Sequence, residues 1–185
     1  MVYISRKVTN TLAALVLGLV LSAGLVASVS ATEYSVGEGP DDWWTVYQDL
    51  HTNSGAEVDH PSWVLDLLAE KPVLILDHST NCEGCINQEA YVNAVLEDYG
   101  DDVAYENLIT GSGDWKADTL FDIYDPNGGK PTMPLTVILT LVEVDGEVVV
   151  GWHSMEDAAG GEEMVRSYVE DAIDYYDENA DDWEA

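Results

Sequence analysis

Basic side chains are scarce in this 185-residue chain, which has six Lys and Arg against 36 Asp and Glu and a formal net charge of −30 at pH 7. So little positive charge argues against binding to nucleic acids or anionic lipid surfaces, because like charges repel. The acids are scattered and 46% of the residues are hydrophobic, which excludes a disordered acidic tail. We interpret the composition as that of a folded, halophilic protein with a carboxylate-rich surface.

Cysteine is also rare: Cys82 and Cys85, in the stretch HSTNCEGCINQ, are the only two in the chain. Their spacing fits a redox couple, a structural disulfide or half of a zinc site. The further ligands that a zinc site could use are His51, His60, His78 and His153. Because the chain has neither a second CxxC nor a paired-histidine motif, we predict no bound metal and keep a Cys/His metal-binding protein only as an alternative.

Charged residues are missing from the run TLAALVLGLVLSAGLVASVSA, which follows Arg6 and Lys7 and ends in small residues at Ala31. This pattern predicts that residues 1–31 are a signal peptide, and an uncleaved N-terminal membrane anchor is the alternative. Both interpretations place the rest of the chain outside the cytoplasm, either secreted or anchored to the outer face of the cell membrane. Cleavage after Ala31 would remove two basic groups and no acid, so the formal charge would become −32.

Pro and Gly residues divide the rest of the chain into short elements. Residues 32–60 form an N-terminal extension, in which a strand and a short helix fit residues 43–47 equally well. The pattern then predicts a helix in PSWVLDLLAE, a buried strand in KPVLILD, a helix in CINQEAYVNAVLEDYG, a strand in VAYENLI and a helix in WKADTLFDIYD. A hairpin around Asp145-Gly146 and an amphipathic helix follow. Residues 179–185 form an acidic tail that we expect to be loose.

This order predicts one α/β domain over residues 61–178, a three-layer sandwich with a central mixed sheet and helices on both faces. In the helix after the cysteines, the residues expected to face inwards are Ile86, Ala90, Ala94 and Val95. Cys82 lies where that helix begins, so the free N–H groups and the helix dipole favour its thiolate. Cys85 lies one turn later, near enough to resolve a mixed disulfide formed on Cys82.

The stretches KPVLILDHSTNCEGCINQEAYVNAVL and PTMPLTVILTLVEVDGEVVVGW, with the closing amphipathic helix, resemble the thioredoxin family over roughly residues 61 to 177. The resemblance implies a thioredoxin-like fold and a thiol-disulfide oxidoreductase that acts on protein thiols and disulfides, with an unidentified redox partner and no cofactor. It also implies that Pro134 is a cis-proline facing Cys82 and Cys85, and that Met133 offers its backbone to the substrate.

The chain departs from the family pattern around the cysteines. Asn81 stands where thioredoxins usually have Trp, and Glu83 places a carboxylate between the sulfurs, which opposes the helix dipole. The buried acid of thioredoxins aligns with Leu76, and a one-residue step to Asp77 turns the side chain to the other face of the sheet. Asp77 and His78 are therefore only possible substitutes for proton transfer, and we expect His78 to be exposed. A secreted binding module with an inert disulfide is the other alternative.

Overall fold

The computed structural model describes residues 33–128 and 131–184, so the predicted signal peptide or anchor lies outside the described residues. Its regular elements are α1 (Ser62–Leu68), β1 (Val73–His78), α2 (Glu83–Tyr99), β2 (Ala104–Ile109), α3 (Trp115–Tyr124), β3 (Leu135–Val144), β4 (Glu147–Glu156) and α4 (Gly161–Asn179). This is the order of helices and strands that the sequence predicts. None of the helices in the described residues is long and apolar enough to cross a membrane.

The four strands form one mixed sheet in the order β2-β1-β3-β4. The first two strands are parallel, because α2 carries the chain back across the sheet between them, whereas β3 runs antiparallel to both β1 and β4. Helices α1 and α3 pack on one face of the sheet, and α2 and α4 pack on the other. The predicted α/β, thioredoxin-like three-layer sandwich is therefore confirmed.

Every residue of β1 is buried, since both faces of this central strand are covered. Ile75 packs with α1 and α3, whereas its neighbours Leu74 and Leu76 pack with Val92 and Val95 of α2. This alternation is the ordinary period of two in a strand. It places the carboxyl end of β1, and the cysteines that follow it, at the edge where α2 begins.

The hairpin between β3 and β4 turns at Asp145 and Gly146, which both have positive φ (53° and 87°). Two central residues in the left-handed region are typical of the tight type I′ turn that Asp-Gly favours. The turn lies at one end of the sheet. The start of β3 and the end of β4 therefore meet at the opposite end, beside the cysteines.

The N-terminal segment, residues 33–47, is neither a helix nor a regular strand. It lies along β4 and α4 and is held by single contacts: Trp44 forms an isolated antiparallel bridge with Trp152, and the buried Trp43 donates its indole N–H to Asp171 at 2.6 Å. The choice between strand and helix that the sequence leaves open is thus resolved in favour of isolated bridges.

Two expectations about packing are wrong. Ile86 is 58% exposed and Ala90 is exposed too, whereas Val95 is buried as expected. The buried face of α2 is made by Cys85, Gln88, Val92 and Val95. The reason is that Cys85 is fully buried, and residues three, seven and ten positions later share its side of a helix. The second wrong expectation is that the acidic tail, residues 179–185, is loose. Residues 180–182 form a 3₁₀ turn, and Trp183 packs against the core on the α1 and α3 side.

Candidate functional site

Cys82 and Cys85 form a disulfide at the start of α2, with their Cα atoms 5.1 Å apart. Cys82 is the N-cap residue and has extended backbone geometry, so its side chain turns back over the first turn of the helix. There its Sγ accepts the backbone N–H of Cys85 at 3.1 Å. The sulfur thus occupies the place of a capping oxygen, where free N–H groups stabilise negative charge.

The two sulfurs differ in access. Cys82 is partly exposed, whereas Cys85 is completely buried under the helix. The only donor to the Cys85 sulfur among the described residues is the backbone N–H of Ser79, at 3.5 Å. An incoming thiol or disulfide can therefore reach Cys82 directly, while Cys85 is accessible only to Cys82.

Pro134, one of the two predicted site-shaping residues, lies beside this pair. The Met133-Pro134 peptide bond is cis, as the resemblance implies. A Cβ atom placed on Gly84, between the cysteines, would lie 3.6 Å from Pro134 Cδ. Pro134 is buried, and Met133, which precedes it, is partly exposed. Its contact with a substrate stays a prediction.

Asp77 is fully buried near the end of β1. By alternation it shares the sheet face of Ile75, which α1 and α3 cover, and so points away from the face that carries α2. Its Oδ1 accepts the hydroxyl of Thr110 at 2.7 Å, whereas Oδ2 has no partner among the described residues. Burial raises the pKa of Asp77 to about 6, and the Thr110 hydrogen bond lowers it by a smaller amount.

His78 is buried, with 3% of its surface exposed, so the expectation that it is exposed is wrong. It is the last residue of β1. Because side chains alternate along a strand, it points to the same sheet face as Leu76, which α2 covers. Its Nε2 lies 2.8 Å from Asn107 Oδ1. Of the two residues considered for proton transfer, His78 is therefore the one on the same side of the sheet as Cys85.

Sequence reasoning misses two polar residues at this site. Gln88, one turn beyond Cys85, is fully buried; it donates to Thr136 at 2.8 Å, and its Oε1 has no partner among the described residues. Asp157 follows β4, and its Oδ1 would lie 3.7 Å from a Cβ atom on Gly84. Gln88 is not among the residues of α2 that the sequence predicts to face inwards, so the pattern gives no signal for its burial. No sequence signal points to Asp157, because only the return of β4 brings it here.

The other histidines contact distant parts of the chain. His51 Nε2 lies 3.1 Å from the carbonyl oxygen of Asp122, and His60 and His153 lie 2.8 Å and 3.0 Å from Tyr124 Oη and the Asp42 carbonyl oxygen. Burial lowers the pKa values of both His60 and His153 to about 4. Within residues 33–128 and 131–184, no group of three His, Cys, Asp or Glu side chains could hold a metal ion.

No protein-family model matches the chain, and no curated protein matches it. Among solved structures, Fasciola hepatica thioredoxin is similar with a TM-score of 0.41 and 14% identity over 60% of this chain and 88% of that one. The oxidised mitochondrial thioredoxin 3 of Saccharomyces cerevisiae has a TM-score of 0.38 and 14% identity, and covers 60% of this chain with 88% of its own length. Because these TM-scores and identities are low, the chemistry of the cysteine pair has to be argued from the geometry of this chain itself.

Proposed function

We propose that this chain is a thiol-disulfide oxidoreductase that exchanges disulfides with protein substrates, with Cys82 as the nucleophile and Cys85 as the resolving thiol. The observation that carries the proposal is the asymmetry of the pair. A partly exposed sulfur caps the helix and accepts an N–H at 3.1 Å, and a fully buried sulfur lies one turn behind it. A disulfide that served stability alone would gain little from a ring of four residues, because longer loops give more stabilisation.

In the reducing direction, the Cys82 thiolate attacks one sulfur of a substrate disulfide, forms a mixed disulfide and expels a substrate thiolate. The Cys85 thiolate then attacks the Cys82 sulfur, which re-forms the Cys82–Cys85 disulfide and expels the second substrate thiolate. Two electrons pass from the pair to the substrate, and the protons lost by the two cysteines are available to the two expelled thiolates. The reverse sequence oxidises a substrate dithiol. A dithiol or disulfide partner must restore the starting state in each case.

The local charges act in opposite directions on the attacking thiolate. The Cys85 N–H and the positive end of α2 stabilise it, whereas the exposed carboxylate of Glu83 opposes it. The proton of Cys85 has to leave from a buried position before the resolving step. His78 is our proposed acceptor or relay for that proton, because it lies on the α2 side of the sheet, and Asp77 does not.

The rest of the proposal concerns where the reaction takes place. The composition of residues 1–31 supports an extracytoplasmic location, with the chain either secreted or anchored at the outer face of the membrane. Disulfide exchange is common outside the cytoplasm, where disulfides form and persist. The sulfur atoms carry the electrons themselves, so the proposed reaction needs no cofactor.

Trapping of the mixed disulfide tests the proposal. Without the resolving thiol, a Cys85→Ser variant, expressed in an exporting host and quenched with acid, should accumulate reductant-sensitive adducts on Cys82. The matched Cys82→Ser variant should trap none, because its remaining thiol is buried. If Cys85→Ser gives no adducts and the wild type fails to turn over a model disulfide, the chain is better described as a binding module with an inert disulfide. A stoichiometric zinc ion released by a chelator would instead indicate a metal-binding protein.

A further inference from the structure

We infer that the surface around Cys82 selects substrate segments with a lysine or arginine beside their reacting cysteine, and that Asp157 is the residue that sets this preference. The inference rests on the proposed function and names a substrate class for it. It concerns three side chains around the disulfide, Glu83, Ile86 and Asp157, which we call the cysteine rim.

The position of Asp157 is set by its backbone. Its N–H donates to the carbonyl oxygen of Pro134 at 3.0 Å, and its φ of 57° places it in the left-handed region. The loop between β4 and α4 therefore turns back onto the start of β3. This arrangement brings Oδ1 to within 3.7 Å of the Cβ position of Gly84, so an exposed carboxylate lies directly beside the residues between the two cysteines.

The other two rim residues lie on the helix side of the disulfide. Glu83 is exposed and follows Cys82 directly. Ile86 is 58% exposed, and its N–H donates to the carbonyl oxygen of Cys82 at 3.1 Å, which places it one turn along the helix. A segment that presents its cysteine to Cys82 therefore meets carboxylates and an apolar side chain.

No ion pair neutralises the rim carboxylates within residues 33–128 and 131–184. The three basic side chains described there are engaged elsewhere. Lys71 donates to the carbonyl oxygen of Asp101, Lys116 pairs with Glu106, and Arg166 pairs with Asp98 and Glu162. A cationic substrate side chain would meet carboxylates that form no ion pair with any described residue, whereas an acidic one would be repelled.

High salt distinguishes the local effect of Asp157 from the long-range electrostatic field of an acidic protein. At about 1 M salt the Debye length is about 3 Å, so the repulsion or attraction of distant carboxylates is largely screened. A substrate cation in contact with Asp157 lies within about this distance and therefore keeps a larger part of its interaction. Exposed ion pairs of this kind are worth about 0.2 to 1 kcal/mol, which corresponds to a change in rate of up to about fivefold.

The test compares two peptides that differ only in charge. Each carries one cysteine coupled to thionitrobenzoate through a disulfide, with lysine on both sides in one peptide and glutamate in the other. The reduced protein attacks each peptide in about 1 M KCl, and release of the coloured thiol gives a rate constant. We expect the lysine peptide to react faster with the wild type. In Asp157→Asn, the ratio of the two rate constants should fall by about two- to fivefold.

Asparagine is a suitable replacement because it tolerates the left-handed backbone that this position requires. The matched control is Glu143→Gln, which removes one exposed charge near the hairpin turn, at the far end of β3. An unchanged ratio in Asp157→Asn, or an equal fall in Glu143→Gln, would overturn the inference. If neither peptide reacts with the reduced wild type, the failure lies in the proposed function itself.

Discussion

Replacing Asp77 by asparagine is expected to stabilise the protein at neutral pH. Asp77 is fully buried, and one of its carboxylate oxygens has no partner among the described residues, so ionisation is costly in the folded chain. Its pKa rises from 3.8 to about 6 for this reason. This rise in pKa means that the ionised carboxylate lowers the free energy of unfolding by about 3 kcal/mol at pH 7.5. The amide keeps the acceptor for Thr110 but leaves an unpaired N–H that costs about 1 to 3 kcal/mol, so the net gain should be up to about 2 kcal/mol.

The gain in stability from Asp77→Asn should become smaller as the pH falls. Because the pKa of Asp77 is higher in the folded than in the unfolded chain, the folded chain binds more protons at this site between about pH 4 and 6. The stabilising effect of protonated Asp77 is thus fully present below about pH 4 and is lost as the pH rises through 6. At pH 5 only about half of the ionisation penalty remains, and the cost of the unpaired amide N–H offsets it, so the gain of Asp77→Asn should almost vanish.

Urea unfolding in about 1 M KCl, followed by tryptophan fluorescence at pH 5 and pH 7.5, measures this difference. Glu143→Gln serves as the control, because it removes an exposed charge whose effect should be small at both pH values. The reasoning is refuted if Asp77→Asn is no more stable than the wild type at pH 7.5. A gain of equal size at the two pH values would refute it as well.

Two further predictions concern the charged surface and the N-terminal segment. The melting temperature should rise from low salt to about 1 M KCl, because salt screens the repulsion among the carboxylates, and a flat or falling curve would contradict this. Trp43→Phe removes the indole N–H that donates to Asp171 at 2.6 Å and should lower the free energy of unfolding by about 1.5 to 3 kcal/mol, as measured by urea unfolding. A loss below about 0.5 kcal/mol would show that this hydrogen bond is not needed to hold the segment.

The element order could be predicted because each signal for it is local. The apolar run of β1 and the Asp145-Gly146 turn specify strand and hairpin within a few residues. The buried face of α2 could not be read in the same way, since apolar residues occur on several sides of that helix. Ile86 is exposed and Gln88 is buried because the position of Cys85 against the sheet decides which side faces inwards. The conformation of residues 33–47 likewise depends on β4 and α4, which lie more than a hundred positions away.

In the candidate site, too, some features could be predicted from the sequence and others depend on long-range packing. The cysteine pair could be predicted from its spacing, and the place of Pro134 from the resemblance to thioredoxins. The burial of His78 could not, because it depends on how far α2 covers the end of β1. Asp157 reaches the site only through the fold: its backbone N–H meets the carbonyl oxygen of Pro134 across the open end of the hairpin. A residue brought in by a long-range turn leaves no pattern near the cysteines.

The contacts between the N-terminal segment and α4 can form only late in synthesis, because the two lie at opposite ends of the described chain. Trp43 leaves the ribosome long before Asp171, its hydrogen-bond partner 128 positions later, and the same holds for Tyr34 and Tyr168, whose rings stack at 3.9 Å. Until α4 has emerged, Trp43 lacks its hydrogen-bond partner and Tyr34 lacks the ring on which it stacks. A ribosome stalled before α4 would therefore hold a nascent chain with exposed tryptophan and tyrosine, which chaperones and proteases recognise.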